Sequence, residues 1–527
     1  MGKRLICLLL CLCLLLPAVG CGYQKDGELV CPLPGAVSSL DPQTASGTAA
    51  RLVIGSLFEG LCRLDENGEA VPGVAERWEC DSTQMEYTFH LRKNASWSDG
   101  TPVTADDFRF AIERCLNPAT ASPNADDLFL IQGARAIYNG EADLSSLGVA
   151  AEDDRTLVIR LERASSDFPA MTAALHYMPC NRAYFQESQG HYGLSSQYLL
   201  TNGPFALASI YAWQTDPGER EITLVRSETY RGEERVLPAT LTYQMDYDNA
   251  VDQDPVSALT QGLADVLVLS QEQARQAEEG GCQVLALEDA VTGLLLNPQA
   301  AGLESPALRE IFLKTLDRQS LLDRRGLEDP EEAQGVMPAC VVCGGQPYYA
   351  DGAWMVPQQD DAVVNGLSSL LDSLELEEMP SITVLCPDDQ ASIDVANGLL
   401  ISWNEKLGNA FNIQPMPLRQ LQSQVASGDY EAALYPLRAG GVTPYSVLQS
   451  FQSTASPALL EDPAYDQAFH TLTFDLSSYR SLEQQLLEEY VFYPLYRDRT
   501  YYGLSKNVRG ITVSPDQQID FTQALQK

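Results

Sequence analysis

Tyr87-Thr-Phe-His-Leu-Arg-Lys-Asn-Ala-Ser-Trp-Ser-Asp-Gly-Thr-Pro-Val-Thr-Ala-Asp-Asp-Phe108 carries a strand, a turn and a helix start in one short run. Tyr87, Phe89 and Leu91 alternate with polar residues, the period of a half-buried strand. Ser98-Asp-Gly-Thr101 supplies turn residues. Thr104 is placed to cap a helix whose third position is Asp107, and Phe108, Ala111, Ile112 and Cys115 follow at helical spacing.

These residues resemble the signature of the extracytoplasmic solute-binding proteins that serve oligopeptide and dipeptide ABC importers, bacterial solute-binding protein family 5. Ala75-Glu-Arg-Trp78 is similar to the family's approach to that strand. The resemblance implies an α/β, two-lobed periplasmic-binding-protein-like fold with mixed sheets and an extra small domain in the first lobe. On that pattern residues 39–61 open lobe I, 62–190 form the small outer domain and 191–270 return to lobe I. Residues 271–495 make lobe II, and 496–527 come back to lobe I.

The N-terminus reads as an export address. Lys3 and Arg4 precede an apolar run from Leu5 to Val19, shorter than the roughly twenty residues a membrane-spanning helix needs and right for a signal peptide over 1–20. Ala18-Val-Gly-Cys21 resembles a bacterial lipobox, so Cys21 is the expected lipidation site and 21–38 the expected tether. This implies a location on the extracytoplasmic face of the bacterial cell membrane, as a lipid-anchored monomer.

The 527 residues exceed what one hydrophobic core organises, and 20% charged with 45% apolar content is that of a globular protein. A net charge of -38 excludes a nucleic-acid partner, whose phosphates need a basic surface. Of thirteen cysteines, Cys7, Cys11 and Cys13 leave with the signal and Cys21 takes lipid. The remaining number is odd, so not all can pair within the chain. Cys340-Val-Val-Cys343 reads as a local disulfide or as structural thiols, because Pro338 and Gly344-Gly345 flank it instead of a helix start.

Thr201-Asn-Gly-Pro-Phe205 resembles the family's return to the first lobe. The clearest alternation lies later: Ile382–Cys386 as strand, Ala391–Leu407 as helix, Phe411–Met416 as strand, Leu418–Val425 as helix and Ala432–Leu437 as strand. Such alternation implies βαβ units and a sheet covered on both faces.

No constellation for catalysis stands out. The histidines at 90, 176, 191 and 470 are scattered, and no metalloprotease pair, phosphate loop, nucleophile elbow or dinucleotide fingerprint occurs. The adjacent carboxylates Asp106-Asp107, Asp153-Asp154, Asp360-Asp361 and Glu488-Glu489 read as solvated surface. Neither an enzyme, a cofactor nor a metal is expected.

The resemblance places a ligand site between the lobes, where the family usually has a tryptophan and an aspartate that receives the peptide ammonium. The matching segment runs from Asp429 to Phe451, with Leu437 at the tryptophan position and Gly440 at the aspartate position. Arg438 lies between them, either as a surface salt bridge, as a cleft-facing guanidinium for an anionic group, or in a structural role within the lobe. Asn124 follows Ala121-Ser-Pro, where many relatives carry a tyrosine. Tyr435 and Tyr445 are wall candidates or core residues, and Glu59 in Leu57-Phe-Glu-Gly-Leu61 is either a ligand acceptor on lobe I or an ion-pair partner. The expected partners are a peptide or other small solute, the transmembrane subunits of an ABC permease and the membrane through Cys21. A non-peptide or anionic solute, or a binding role outside transport, is the alternative.

Overall fold

The computed structural model describes residues 26–33, 35–45, 47–215, 220–232, 235–245, 254–325, 331–408, 411–455 and 458–527. Within the opening stretch, Glu86–Leu91 is a strand whose Tyr87, Phe89 and Leu91 are buried. Gly100 takes φ 88°, the left-handed region that favours glycine, and its N–H donates to the Trp97 carbonyl at 2.9 Å. Helix Ala105–Leu116 begins in a capping box: the Thr104 N–H donates to Asp107 Oδ2 at 2.8 Å. Trp97 Nε1 donates to the same oxygen at 3.2 Å. Asp107 is therefore buried, which corrects its reading as solvated surface, and burial pushes its carboxyl up to about 6.

The strand belongs to a four-stranded antiparallel sheet in the order Ala75–Cys80, Glu86–Leu91, Thr156–Arg160, Val149–Asp153. This outer sheet shares one core with the first lobe, whose own sheet runs Glu28–Pro32, Thr240–Gln244, Glu221–Arg226, Phe205–Leu207. Its first pair is parallel and the other two are antiparallel. Glu28–Pro32 corrects the expected tether: Leu29 and Cys31 are buried in that core, so the chain is structured from the first of these residues. Cys21 lies outside the described residues. No helix among the described residues is long and apolar enough to cross a membrane.

The largest sheet has six strands in the order Val266–Leu269, Phe492–Leu504, Gln283–Leu296, Ala432–Arg438, Ile382–Pro387, Phe411–Met416. The first pairs only with the Tyr501–Leu504 end of its neighbour and puts Val266 in the first-lobe core, and the other five build the second lobe. The last two pairings are parallel, as expected of βαβ units, and helix Gln390–Leu407 connects Ile382–Pro387 to Phe411–Met416. The period-two rule divides these strands between two cores. Val291, Leu295, Ala433, Leu437 and Leu385 face one, while Leu294, Leu296, Ala432, Leu434 and Val384 face the other.

The link between lobes is a ribbon formed by Gln283–Leu296 and Phe492–Leu504. Leu285, Leu287, Tyr502 and Leu504 pack on the first-lobe core, whereas Leu294–Leu296 and Phe492–Leu495 pack in the second. Pairing breaks between Leu287 and Ala290, so the two strands change lobes at an irregularity. Asp289 fills that break with a fully buried side chain. It accepts from Arg438 Nη1 at 3.0 and 3.1 Å and from the Thr500 N–H and Oγ1 at 3.1 and 2.9 Å. The Asp289 carbonyl accepts from the Ala439 N–H at 2.9 Å. The nine cysteines of the described residues are all unpaired.

Candidate functional site

A cavity of about 960 Å³ lies where the first lobe, the outer domain and the second lobe meet. Bonds join the second lobe to the first lobe and the outer domain, at the cavity and beside it. The Tyr445 hydroxyl donates to the Asp126 carbonyl at 2.9 Å, and Arg163 Nη1 donates to the Thr471 and Leu472 carbonyls, each at 2.7 Å. The Gly344 N–H donates to Asp167 Oδ2 at 2.8 Å, and Arg51 Nη2 donates to the Gly440 carbonyl at 3.2 Å. Arg135 Nη1 meets His470 Nδ1 at 2.7 Å. Because a guanidinium has no acceptor, His470 accepts here through a neutral ring with its proton on Nε2. The lobes are thus drawn together over the cavity.

Six of the seven residues singled out from the sequence line this cavity: Asn124, Tyr435, Leu437, Arg438, Gly440 and Tyr445. Asn124 comes from the outer domain, at the start of the short helix Ala125–Leu128. The other five come from the end of strand Ala432–Arg438 and the turn and helix Pro444–Leu448 that follow. Leu437 is largely buried in the second-lobe core. Tyr445 packs at a tilt against Phe469 and stacks on Phe474, at ring-centroid distances of 4.7 and 5.6 Å, and burial pushes its hydroxyl well above the ordinary tyrosine range.

Arg438 combines two of the roles considered. One Nη atom holds Asp289 and Thr500, yet the side chain is 31% exposed and lines the cavity. Gly440 places only backbone at the neighbouring position, and a Cβ built there would meet nothing nearer than the Ser446 carbonyl at 3.8 Å. Arg51 reaches the same place from the first lobe, also donating to the Asp516 carbonyl at 3.2 Å. Two guanidiniums therefore flank the glycine.

The outer-domain wall has a different character. Asp127 Oδ2 and His176 Nε2 lie 3.6 Å apart. Asp127 Oδ1 and His176 Nε2 are buried without a hydrogen-bond partner among the described residues. Burial, with Asp126 adding, pushes the Asp127 carboxyl up to about 7. Burial and then Arg51 hold the His176 ring down at about 3, so it is neutral. Gln452 enters the cavity from the second lobe with both amide atoms unpartnered.

Residues 69–458 match the family described as "Bacterial extracellular solute-binding proteins, family 5 Middle". The chain belongs to this family. It is therefore a non-catalytic, extracytoplasmic solute-binding component. It is 25% identical to the oligopeptide-binding protein OppA of Bacillus subtilis strain 168 over 398 residues, 75% of this chain and 71% of OppA. It is 36% identical to the probable deoxycholate-binding periplasmic protein YgiS of Escherichia coli K12 over 215 residues, 40% of this chain and 39% of YgiS. The structure of the Escherichia coli murein tripeptide binding protein MppA is similar at a TM-score of 0.74 and 23% identity, covering 96% of this chain and 99% of that one. Against the unliganded open form of MppA the TM-score is 0.62, covering 96% and 98%.

For this family 5 chain the structure corrects the place given to Glu59. Its side chain is 3% exposed and lies off the large cavity, in a smaller one of about 270 Å³ within lobe I. It accepts from Arg92 and from the Tyr230 hydroxyl at 2.8 Å, with Arg63 Nε 3.8 Å away. The Asn202 side chain clasps its backbone, donating to the Glu59 carbonyl at 2.9 Å and accepting from the Glu59 N–H at 3.2 Å. This is a lobe-stabilising cluster whose carboxylate is already satisfied. Among the described residues no group of three or more His, Cys, Asp or Glu side chains is placed to hold a metal.

Sequence reasoning missed Arg51, Asp127, His176 and Gln452. Asp126-Asp127, separated from Asn124 only by Ala125, was the available signal, an acidic pair close to a residue already singled out. Arg51 sits in helix Thr48–Leu57, whose apolar spacing hides a single cleft-facing arginine.

Proposed function

We propose that this protein captures short peptides in the interlobe cavity and delivers them to the transmembrane subunits of an ABC importer. Acyl chains on Cys21 would hold it at the outer face of the cytoplasmic membrane, and more than one chain is needed for a stable anchor. The observation that carries the reading is a cavity walled by both lobes and the outer domain and bridged by bonds between them. Lobe closure of this kind encloses a ligand without disturbing either core. A volume of about 960 Å³ accommodates a peptide of a few residues, and backbone-directed bonding tolerates varied side chains.

The test is thermal unfolding of the mature domain against pools of short peptides and of small anionic solutes. Stabilisation that saturates with peptide supports the reading, because a ligand bound only by the folded state raises its stability by mass action. Stabilisation by the anionic solutes alone would replace it with a second reading, a receptor for a non-peptide anion. The guanidiniums of Arg51 and Arg438 about Gly440 favour that alternative, and the similarity to YgiS, named as a probable deoxycholate-binding protein, is in keeping with it.

A further inference from the structure

Buried polar atoms without partners cost free energy unless something outside the chain satisfies them. Three side chains lining the cavity have this condition at once. His176 is 4% exposed and its Nε2 has no partner, Gln452 is 1% exposed and neither amide atom has one, and Asp127 Oδ1 is buried and unpaired. We propose that Asp127, His176 and Gln452 form a subsite for a primary ammonium of the ligand. The inference rests on the peptide reading above and assigns one end of the peptide.

The chemistry favours a cation that donates several bonds. Asp127 Oδ1 and Gln452 Oε1 accept, and the neutral His176 ring accepts through Nε2 in one tautomer. Three acceptors match the three N–H groups of an ammonium, and a buried ammonium needs a carboxylate to offset its desolvation. Arg51 is the cation that bears on both Asp127 and His176, but its Nη2 is drawn toward the carbonyls of Gly440 and Asp516. Asp126 adds negative charge beside Asp127. The segment is held in place from across the cleft, since the Tyr445 hydroxyl binds the Asp126 carbonyl at 2.9 Å. Lobe closure therefore completes the subsite, with Asp127 and His176 on one wall and Gln452 on the other.

The experiment compares a pool of tri- to pentapeptides with free N-termini and the same pool acetylated, by native mass spectrometry and thermal shift on the full mature domain. Acetylation is expected to weaken wild-type binding by about ten- to a hundredfold, the worth of a charge-assisted hydrogen bond to a buried partner. Asp127→Asn should abolish that preference, and Gln452→Leu should reduce it. Equal binding of both pools by wild type, or an Asp127→Asn variant that keeps the wild-type preference, overturns this inference and leaves the peptide reading standing. Binding of neither pool overturns both.

Discussion

Gly440→Asp would place a carboxylate between the two guanidiniums of the cleft. Sterically the site has room: the added Cβ meets Ser446 at 3.8 to 4.0 Å, ordinary van der Waals contact, and Gly440 is not in the left-handed region. Arg51 Nη2 already lies 3.2 Å from the Gly440 carbonyl, and Arg438 is two residues back. At roughly 6 Å and an effective dielectric between 20 and 80, each such pairing is worth about 0.7–3 kcal/mol. Replacing glycine also removes about 0.4–1 kcal/mol of unfolded-state entropy. The variant should therefore melt higher than wild type, by an amount that shrinks as salt is raised. The same carboxylate would occupy the positive end of the cavity. Affinity for a peptide with a free C-terminal carboxylate should fall by about tenfold or more, and its C-terminally amidated form should lose less. Calorimetric titration of both peptides measures this. An unchanged preference between them, with a raised melting point, would show that Arg51 and Arg438 do not meet the ligand.

Three further outcomes follow from particular contacts. Glu59→Ala strips a buried partner from Arg92 and Tyr230 and should cost about 3–5 kcal/mol in denaturant unfolding, with peptide affinity unchanged because the side chain is off the large cavity. Phe89→Ala, in the centre of the outer-domain core, should cost about 3–5 kcal/mol by the same assay. His470 gives the closed form a pH dependence. Burial and then Arg135 hold its pKa down, with Asp466 opposing. The open form binds a proton more readily, so closure should weaken as pH falls below the ordinary histidine value of about 6.5. Asp127 works in the opposite direction near pH 7, so the measurement is the difference between wild type and His470→Gln in lobe-distance fluorescence across pH 5 to 8. Superimposable profiles would remove His470 from the closing contact.

Local grammar was legible where one element's pattern decides its own state. Thr104 and Asp107 announced a helix start, and alternating runs after Ile382 announced parallel strands, because caps and periodicity are properties of neighbouring residues. Glu28–Pro32 was not legible, since a five-residue strand is stabilised by Thr240–Gln244, more than two hundred residues away. The same division holds in the cleft. The second-lobe wall follows strand Ala432–Arg438 and its turn, a continuous segment that could be matched residue by residue. Arg51, Asp127 and His176 reach the cavity from three separated elements, and only tertiary contact brings them together. Glu59 was misplaced for a related reason: Arg92 and Tyr230, which satisfy it, lie 33 and 171 positions further on.

Arg438 ties the cleft to the hinge. Its Nη1 binds Asp289 in the break of the ribbon that passes between lobes, and Thr500 on the partner strand binds the same carboxylate. Asp289 is fully buried, so its charge depends on these donors for compensation. A guanidinium has five donors in a rigid fork, so Arg438 can keep Nη1 on Asp289 while its cavity-facing edge meets a ligand carboxylate. A lysine has one nitrogen and must divide it between the two. Arg438→Lys should therefore retain more hinge stability than Arg438→Met, which leaves Asp289 without its cation, but both should lose affinity for a ligand carboxylate. If Arg438→Met unfolds with the wild-type midpoint, Thr500 and the backbone suffice for Asp289, and the coupling of hinge to cleft through this arginine does not exist.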